Sequence, residues 1–217
     1  MKNLIKLSIL VFLLSLGAES FAQTFGIKAG VNFSNMLVKG DDFANSDDFE
    51  MKAGYHFGPM VELPISKIFS FESGLLLSIK GFKRPVTTTY KSTLNLLYLD
   101  LPLNIRASIG IGGAKIYAVF GPYIGIGLIG EVKSEVTNMG EKKTHKEDIR
   151  WGANVREDHF KRLDFGLAMG VGVEISSFQI GLNYGLGLAN ISAVTTRGIK
   201  IKNRVFGISL GYIFEEK

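Results

Sequence analysis

"LDFGLAMGVGVEI", residues 163–175, places Leu163, Phe165, Leu167, Met169, Val171, Val173 and Ile175 at one parity. Asp164, Gly166, Ala168, Gly170, Gly172 and Glu174 occupy the other. A period of two marks a β-strand whose two faces meet unlike surroundings. One face is bulky and apolar throughout, and the other carries only small residues and acids.

Working outward, the same alternation recurs near residues 24–35, 51–62, 69–81, 95–107, 115–130, 178–189 and 203–214, which makes eight strands with the opening one near 160–175. The apolar rows hold no charged residue. The opposite rows hold Lys28, Lys52, Glu62, Glu72, Lys80, Asp100, Arg106, Lys115, Arg162, Asp164 and Glu174, together with most of the glycines. Alternation by itself fits both a soluble lipocalin-type barrel, apolar inside, and a membrane barrel, apolar outside. Volume separates them. Eight strands leave an interior just wide enough for side chains to fill, so glycines beside long charged groups belong inside, and rows of Leu, Ile and Phe belong where lipid sets no limit. The near-balance of inward charge predicts a polar lumen network of Lys28, Glu72, Asp100, Arg106, Lys115, Asp164 and Glu174, with His56 in it and no open pore.

The connections supply an independent test. They alternate long and short: residues 35–50, 82–93, 131–159 and 190–202 are long, whereas "LPISKI", "SIGIGGA" and "SS" are short. Outer-membrane barrels have short periplasmic turns and longer outer loops, so the fold expected is an all-β, eight-stranded antiparallel up-and-down transmembrane β-barrel. Pro59, Pro102 and Pro122 fall inside the strands, where a missing N–H interrupts a ladder. Bulges are expected there, at Gly58-Pro59 and Gly121-Pro122 above all.

The compartment follows from the start of the chain. Lys2 and Lys6, the apolar run 7–16 and Ser20-Phe21-Ala22 form the three parts of a secretory signal peptide, giving residues 1–22 as signal and 23–217 as a single barrel domain. The chain has 217 residues, a net charge of +5 and no cysteine, which excludes disulfides and thiolate metal sites. Export argues against a nucleic-acid partner. Mean hydropathy is +0.20, high for a chain whose longest apolar run lies in the leader, and outward-facing strands account for it.

Taken together, "FGIKAGVNFSNM", "GYHFGPMVELP", "YLDLPLNIR", "VFGPYIGIGL", "RLDFGLAMGVGVEI", "GLNYGLGLANI" and "FGISLGYIF" resemble the PorT-like outer-membrane β-barrels of Gram-negative bacteria. That resemblance spans the whole chain after residue 22. It implies a small antiparallel barrel in the outer membrane and a connection with protein secretion or envelope assembly, and it carries no catalytic residues.

Other motifs read more plainly. Gly125-Ile-Gly127-Leu-Ile-Gly130 matches G-x-G-x-x-G, but a dinucleotide site needs a following helix, and these glycines continue the inward row. His145, Asp148, Asp158 and His159 share the third long loop and define the alternative of a rim enzyme. The repeated Asp-Asp-Phe of the first loop lacks calcium-loop spacing. Trp151, the only tryptophan, suits an interfacial anchor or a contact residue. No catalytic, cofactor or metal residue is assigned. The expected role is a non-enzymatic scaffold or accessory whose outer loops meet a protein partner, with a periplasmic lipocalin-like carrier as the second alternative. Basic residues in the second and fourth loops, Lys83, Arg84, Lys91, Arg197, Lys200, Lys202 and Arg204, are the expected contacts for lipopolysaccharide head groups, and the first loop is acidic (Asp41, Asp42, Asp47, Asp48 and Glu50).

Overall fold

The computed structural model describes residues 23–39, 49–87, 90–138, 141–154, 157–194 and 198–214. Residues 1–22, Arg197 and the first-loop acids Asp41, Asp42, Asp47 and Asp48 lie outside the described residues. The described chain forms β1 (Thr24–Lys39), β2 (Lys52–Pro64), β3 (Phe69–Gly74), β4 (Leu76–Pro85), β5 (Tyr90–Ile111), β6 (Ala114–Asn138), β7 (Glu141–Asp148), β8 (Leu163–Ile175), β9 (Phe178–Gly187) and β10 (Lys200–Phe214). All pair antiparallel in one sheet, which closes because β1 bonds both β2 and β10 while β5 bonds β6.

Ten strands make eight staves, because β7 and β8 pair with successive stretches of one edge of β6 and two further strands share a stave. β3 and β4 form one stave: both hold a single register against β2, with Met60 opposite Gly74 and Phe57 opposite Leu77. Leu75 lies opposite Pro59 and donates its N–H to the Pro59 carbonyl at 3.1 Å, but proline has no N–H to return. The ladder therefore skips a bond without slipping. Pro122 acts in the same way on β5: Leu103 and Asn104 drop out of the β5–β6 ladder between Pro102–Tyr123 and Ile105–Phe120, and the register is unchanged. The expected bulges at Gly58-Pro59 and Gly121-Pro122 are thus corrected to missing bonds. The β5–β6 register shifts instead at Leu97/Tyr98, where Leu97 opposes Ile129 and Tyr98 opposes Gly127.

Side chains follow the parity read from the sequence. Ile175 is 59% exposed and its neighbour Glu174 6%, and the contrast repeats around the wall. Without bilayer the rows of Phe, Ile and Leu lie bare, a surface that only lipid can cover. Aromatic side chains mark both edges of that band. Phe25, Phe214, Tyr212 and Phe178 adjoin at the short-turn end, and Phe33, Phe206 and Tyr184 stand in one row toward the other. The short turns are tight. Gly112 and Gly113 carry φ of +57° and +89°, the double positive φ that a two-residue hairpin needs and that a Cβ would strain.

The outer end departs from expectation. Residues 82–93 and 131–159 are largely strand, not loop: β4 runs to Pro85, β5 starts at Tyr90, and β6 continues to Asn138 in a hairpin with β7. A bilayer needs only about 9–11 residues of tilted strand. β6 has 25, so its outer half stands clear of the lipid band. Over the mouth, Met36, Val38, Phe49, Leu94, Leu96, Tyr98, Ile149, Phe160, Ala189 and Ile191 pack into an apolar core, joined by Phe82, Val132, Trp151 and Ile201.

Candidate functional site: a charged lumen beneath an apolar cap

Two ionic clusters occupy the lumen. Toward the short turns, Arg106 is fully buried. Its Nη2 donates to Glu174 at 2.6 Å, and its Nη1 lies 3.2 Å from both Glu62 and Glu72. Lys28 pairs with Glu72 at 2.6 Å and Lys115 with Glu174 at 2.8 Å. The guanidinium lies 3.9 Å from the Tyr117 ring centroid, which takes its remaining face. Inward parity on β1, β2, β3, β5, β6 and β8 brings these residues together, and glycines such as Gly172, packed against Tyr117, leave room for the long chains. Three cations meet three carboxylates here.

Nearer the outer end, Lys80 on β4 reaches Asp100 at 2.9 Å and Asp164 at 3.3 Å, between the rings of Tyr98 and Tyr123. Tyr123 and Asn203 also donate to Asp164 Oδ2, at 3.1 and 2.8 Å. All seven residues of the expected lumen network therefore point inward, but they divide into two groups, and the sequence reading had omitted Glu62 and Lys80 from that set. Arg162 does not join them. It is exposed at the start of β8 and donates to the Gly127 carbonyl at 3.1 Å.

A cavity of about 130 Å³ lies between the clusters, with Lys28, Glu72, Lys80, Asp100, His56 and Tyr123 among its walls. His56 is tied at both nitrogens, Nδ1 to Asn32 Oδ1 and Nε2 to Ser209 Oγ, each at 2.8 Å. The cavity has room and polar walls for water. Arg106 and its partners lie toward the short turns from it, and the apolar cap lies toward the outer end.

The cap explains the glycine motif. A Cβ at Gly127 would run into the ring of Trp151, and one at Gly130 into Ile149, so these glycines make room for cap side chains. Trp151 meets Tyr98 edge-on at 5.8 Å and faces inward, not toward the lipid interface. The rim histidines are not assembled into a site. His145 is exposed on β7, His159 contacts Arg150, and no ion pair joins either to an aspartate among the described residues. No group of three histidine, cysteine, aspartate or glutamate side chains placed to hold a metal ion occurs among the described residues.

On the outside of the rim the cations fall into two sectors. Lys83, Thr93, Lys133 and Lys146 stand side by side across β4, β5, β6 and β7. Acids answer part of that row: Glu135 takes Lys133 at 2.7 Å and Lys142 at 2.9 Å, and Glu131 takes Lys146 at 3.1 Å. Hydrogen bonds from Lys133 and Lys142 hold the Glu135 carboxyl down to about 2, so it is charged at any physiological pH. Arg84 turns to the inner face and lies over Phe49, 5.4 Å from the ring centroid. In the other sector Lys39 faces Lys200 directly, with Lys202 and Arg204 following on the same face of β10. These four form no ion pair within the described residues. Like charges set opposite repel, which makes this seam receptive to anions.

With Arg106 buried across the inner lumen and an apolar cap packed over the mouth, the monomer in a planar bilayer is expected to show no steady single-channel steps. Reproducible unitary conductance would show that the cap or the Arg106 cluster opens.

A family model described as an outer membrane protein β-barrel domain matches residues 21–193. Among solved structures, the attachment invasion locus protein Ail of Yersinia pestis is 14% identical, the match covering 88% of this chain and 98% of that one at a TM-score of 0.42. OprG from Pseudomonas aeruginosa is 12% identical, covering 90% and 98% at a TM-score of 0.44. Neisserial surface protein A is 10% identical, covering 88% and 97% at a TM-score of 0.42. No curated protein matches the sequence.

Proposed function

This chain belongs to the outer membrane protein β-barrel domain family and resides in the outer membrane of a Gram-negative bacterium, and from that premise we propose that it is a non-enzymatic scaffold whose outer end engages a protein partner. The observation that carries this reading is the build of the outer end, where a packed apolar cap supports a hairpin of two strands well beyond the lipid band. A channel would have no use for such a cap, and a rim enzyme needs a convergent site that the histidines do not form. The bare apolar face weighs against a lipocalin-like carrier. Membership among PorT-like barrels, with a role in secretion or envelope assembly, is the finer reading that the motif resemblance favours.

A photo-crosslinking residue at Thr144 on β7, in intact cells, is expected to give a discrete protein adduct that the same residue placed at Gly110, beside a short turn, does not give. No adduct at Thr144, or the same adduct from Gly110, would remove the partner from this hairpin.

Lipopolysaccharide is the second expected contact. Basic side chains at an anionic surface are worth about 1 kcal/mol each. Replacing Lys83, Lys91, Lys200 and Lys202 with Gln is expected to lower lipopolysaccharide co-purification several-fold and to flatten its salt dependence. Arg84 is left in place because it packs on Phe49. Retention and salt slope equal to the unmodified protein would leave the basic rim without a lipid role.

A further inference from the structure

The apolar outer face ends abruptly along one seam. Where β1, β9 and β10 adjoin, Phe33, Phe206 and Tyr184 form the last apolar row, and the next outward residues are Asn35, Arg204 and Leu186. Residues 25–33 of β1 run from the aromatic edge at the short turns to this row, matching the about 9–11 residues that a tilted strand needs to cross a bilayer. Arg204 therefore stands where hydrocarbon gives way to head groups in the outer leaflet. Lys202 and Lys200 follow it outward on the same face, each about 7 Å further along the strand.

Between the two rows the surface is hollow. Phe33, Phe206, Tyr184, Met51, Asn35 and Arg204 line an open groove of about 170 Å³, roughly ten times the volume that a single water needs. Asn35 is buried and donates from Nδ2 to the Phe49 carbonyl at 3.3 Å, which holds the chain leading to Met51 along one side. Arg204 is half-buried in this wall, its Nε has no hydrogen-bond partner, and it makes no ion pair among the described residues. In the other sector, by contrast, Glu135 and Glu131 answer Lys133, Lys142 and Lys146. A half-buried guanidinium without a counter-charge is stabilised by taking an anion, and charge-assisted hydrogen bonds are the strong ones.

We propose that this groove holds a phosphate of one lipid A molecule, the lipid anchor of lipopolysaccharide, at Arg204, with an acyl chain laid over Phe33, Phe206 and Tyr184. This rests on the reading that lipopolysaccharide meets the basic rim, and it turns a diffuse contact into a site for one lipid per barrel. The planar fork of arginine matches two phosphate oxygens, whereas a lysine offers a point charge. Lys202 and Lys200 strengthen the attraction from above the groove. The apolar row favours a lipid over a soluble phosphate, and the groove faces the leaflet from which such a lipid arrives.

The test uses the full chain, refolded into detergent micelles and titrated with lipid A, with the same lipid stripped of its phosphates, or with inorganic phosphate, and read by native mass spectrometry. The unmodified protein is expected to carry one phosphorylated lipid, bound about tenfold or more tighter than the stripped lipid, and to give no adduct with inorganic phosphate. Arg204→Gln, with every lysine in place, is expected to lose about tenfold in affinity, and Arg204→Lys to fall between. The unboiled gel shift shows that each variant is folded. A second arm leaves Arg204 untouched: a photo-crosslinking residue at the exposed Met51, in intact cells, is expected to capture lipopolysaccharide, and the same residue at Phe178, at the short-turn end, is not. Equal affinity for the two lipids, one-to-one binding of inorganic phosphate, unaltered affinity in Arg204→Gln, or no lipid adduct from Met51 would each overturn the proposal. If Arg204→Gln keeps its lipid while the four-lysine variant loses lipopolysaccharide, the rim contact stands and the groove does not; lipid kept by both removes both.

Discussion

Arg106→Met is expected to cost about 3–5 kcal/mol of folding stability, the penalty for removing one partner from a buried ion cluster. Methionine fills much of the same volume, so the loss is electrostatic. Glu62, Glu72 and Glu174 are left with two lysines, and Lys115 is 60% exposed at its side chain. Arg106→Lys keeps the charge but cannot reach three carboxylates from one planar fork, and it is expected to fall between the two. Adding Glu72→Gln to Arg106→Met restores the charge count and is expected to recover part of the loss. Urea unfolding of the refolded barrel, followed by the gel shift between folded and unfolded forms, measures all of these. A midpoint for Arg106→Met equal to that of the unmodified protein would mean that the inner cluster does not hold the staves together.

The second large effect contrasts adjacent residues on β9. Leu182 stands on the lipid face at mid-strand, opposite Val171 and Ile208, and Asn183 faces the lumen cavity. Leu182→Arg places a cation in hydrocarbon at about 2–4 kcal/mol near the bilayer midplane. Asn183→Arg gives up a hydrogen bond to Ser209, but its guanidinium enters a space with Glu72 and Asp100 in its walls. Folded yield into lipid vesicles is expected to drop sharply for the first and modestly for the second. The opposite ranking would contradict the orientation of the whole wall.

How far the sequence is legible depends on where its information is local. "LDFGLAMGVGVEI" displays its two faces because successive side chains of any strand point opposite ways, and the long-short alternation of connections separates the two ends. The outer cap was harder to see. "LNLLYL", residues 94–99, does carry a signal: Leu94 and Leu96 are apolar on the inward parity while Leu97 and Leu99 are apolar on the other, as in a strand covered on both sides. β7 carries no such mark, since "EKKTHKED" is polar on both faces and is a strand only because β6 offers it a ladder. The prolines misled for a related reason. A missing N–H is evident from the residue type, but whether a ladder slips or merely skips a bond depends on the partner strand.

The sequence by itself therefore determined the wall: the strands, their lipid and lumen faces, the side on which the turns are short, and the set of residues sent inward. Each of these follows from backbone geometry within a few residues. Only the tertiary structure decided who meets whom inside. Lys80 and Asp164 are 84 positions apart and Arg106 and Glu174 are 68, and they touch because register accumulates from stave to stave around a closed ring. That closure divided one nearly balanced pool of inward charge into a cluster of three cations with three carboxyl groups and a cluster of one cation with two, and it folded residues read as loops into a cap over the mouth. Charge balance in a lumen is a property of the closed barrel, because Coulomb energy depends on distances that no single strand contains.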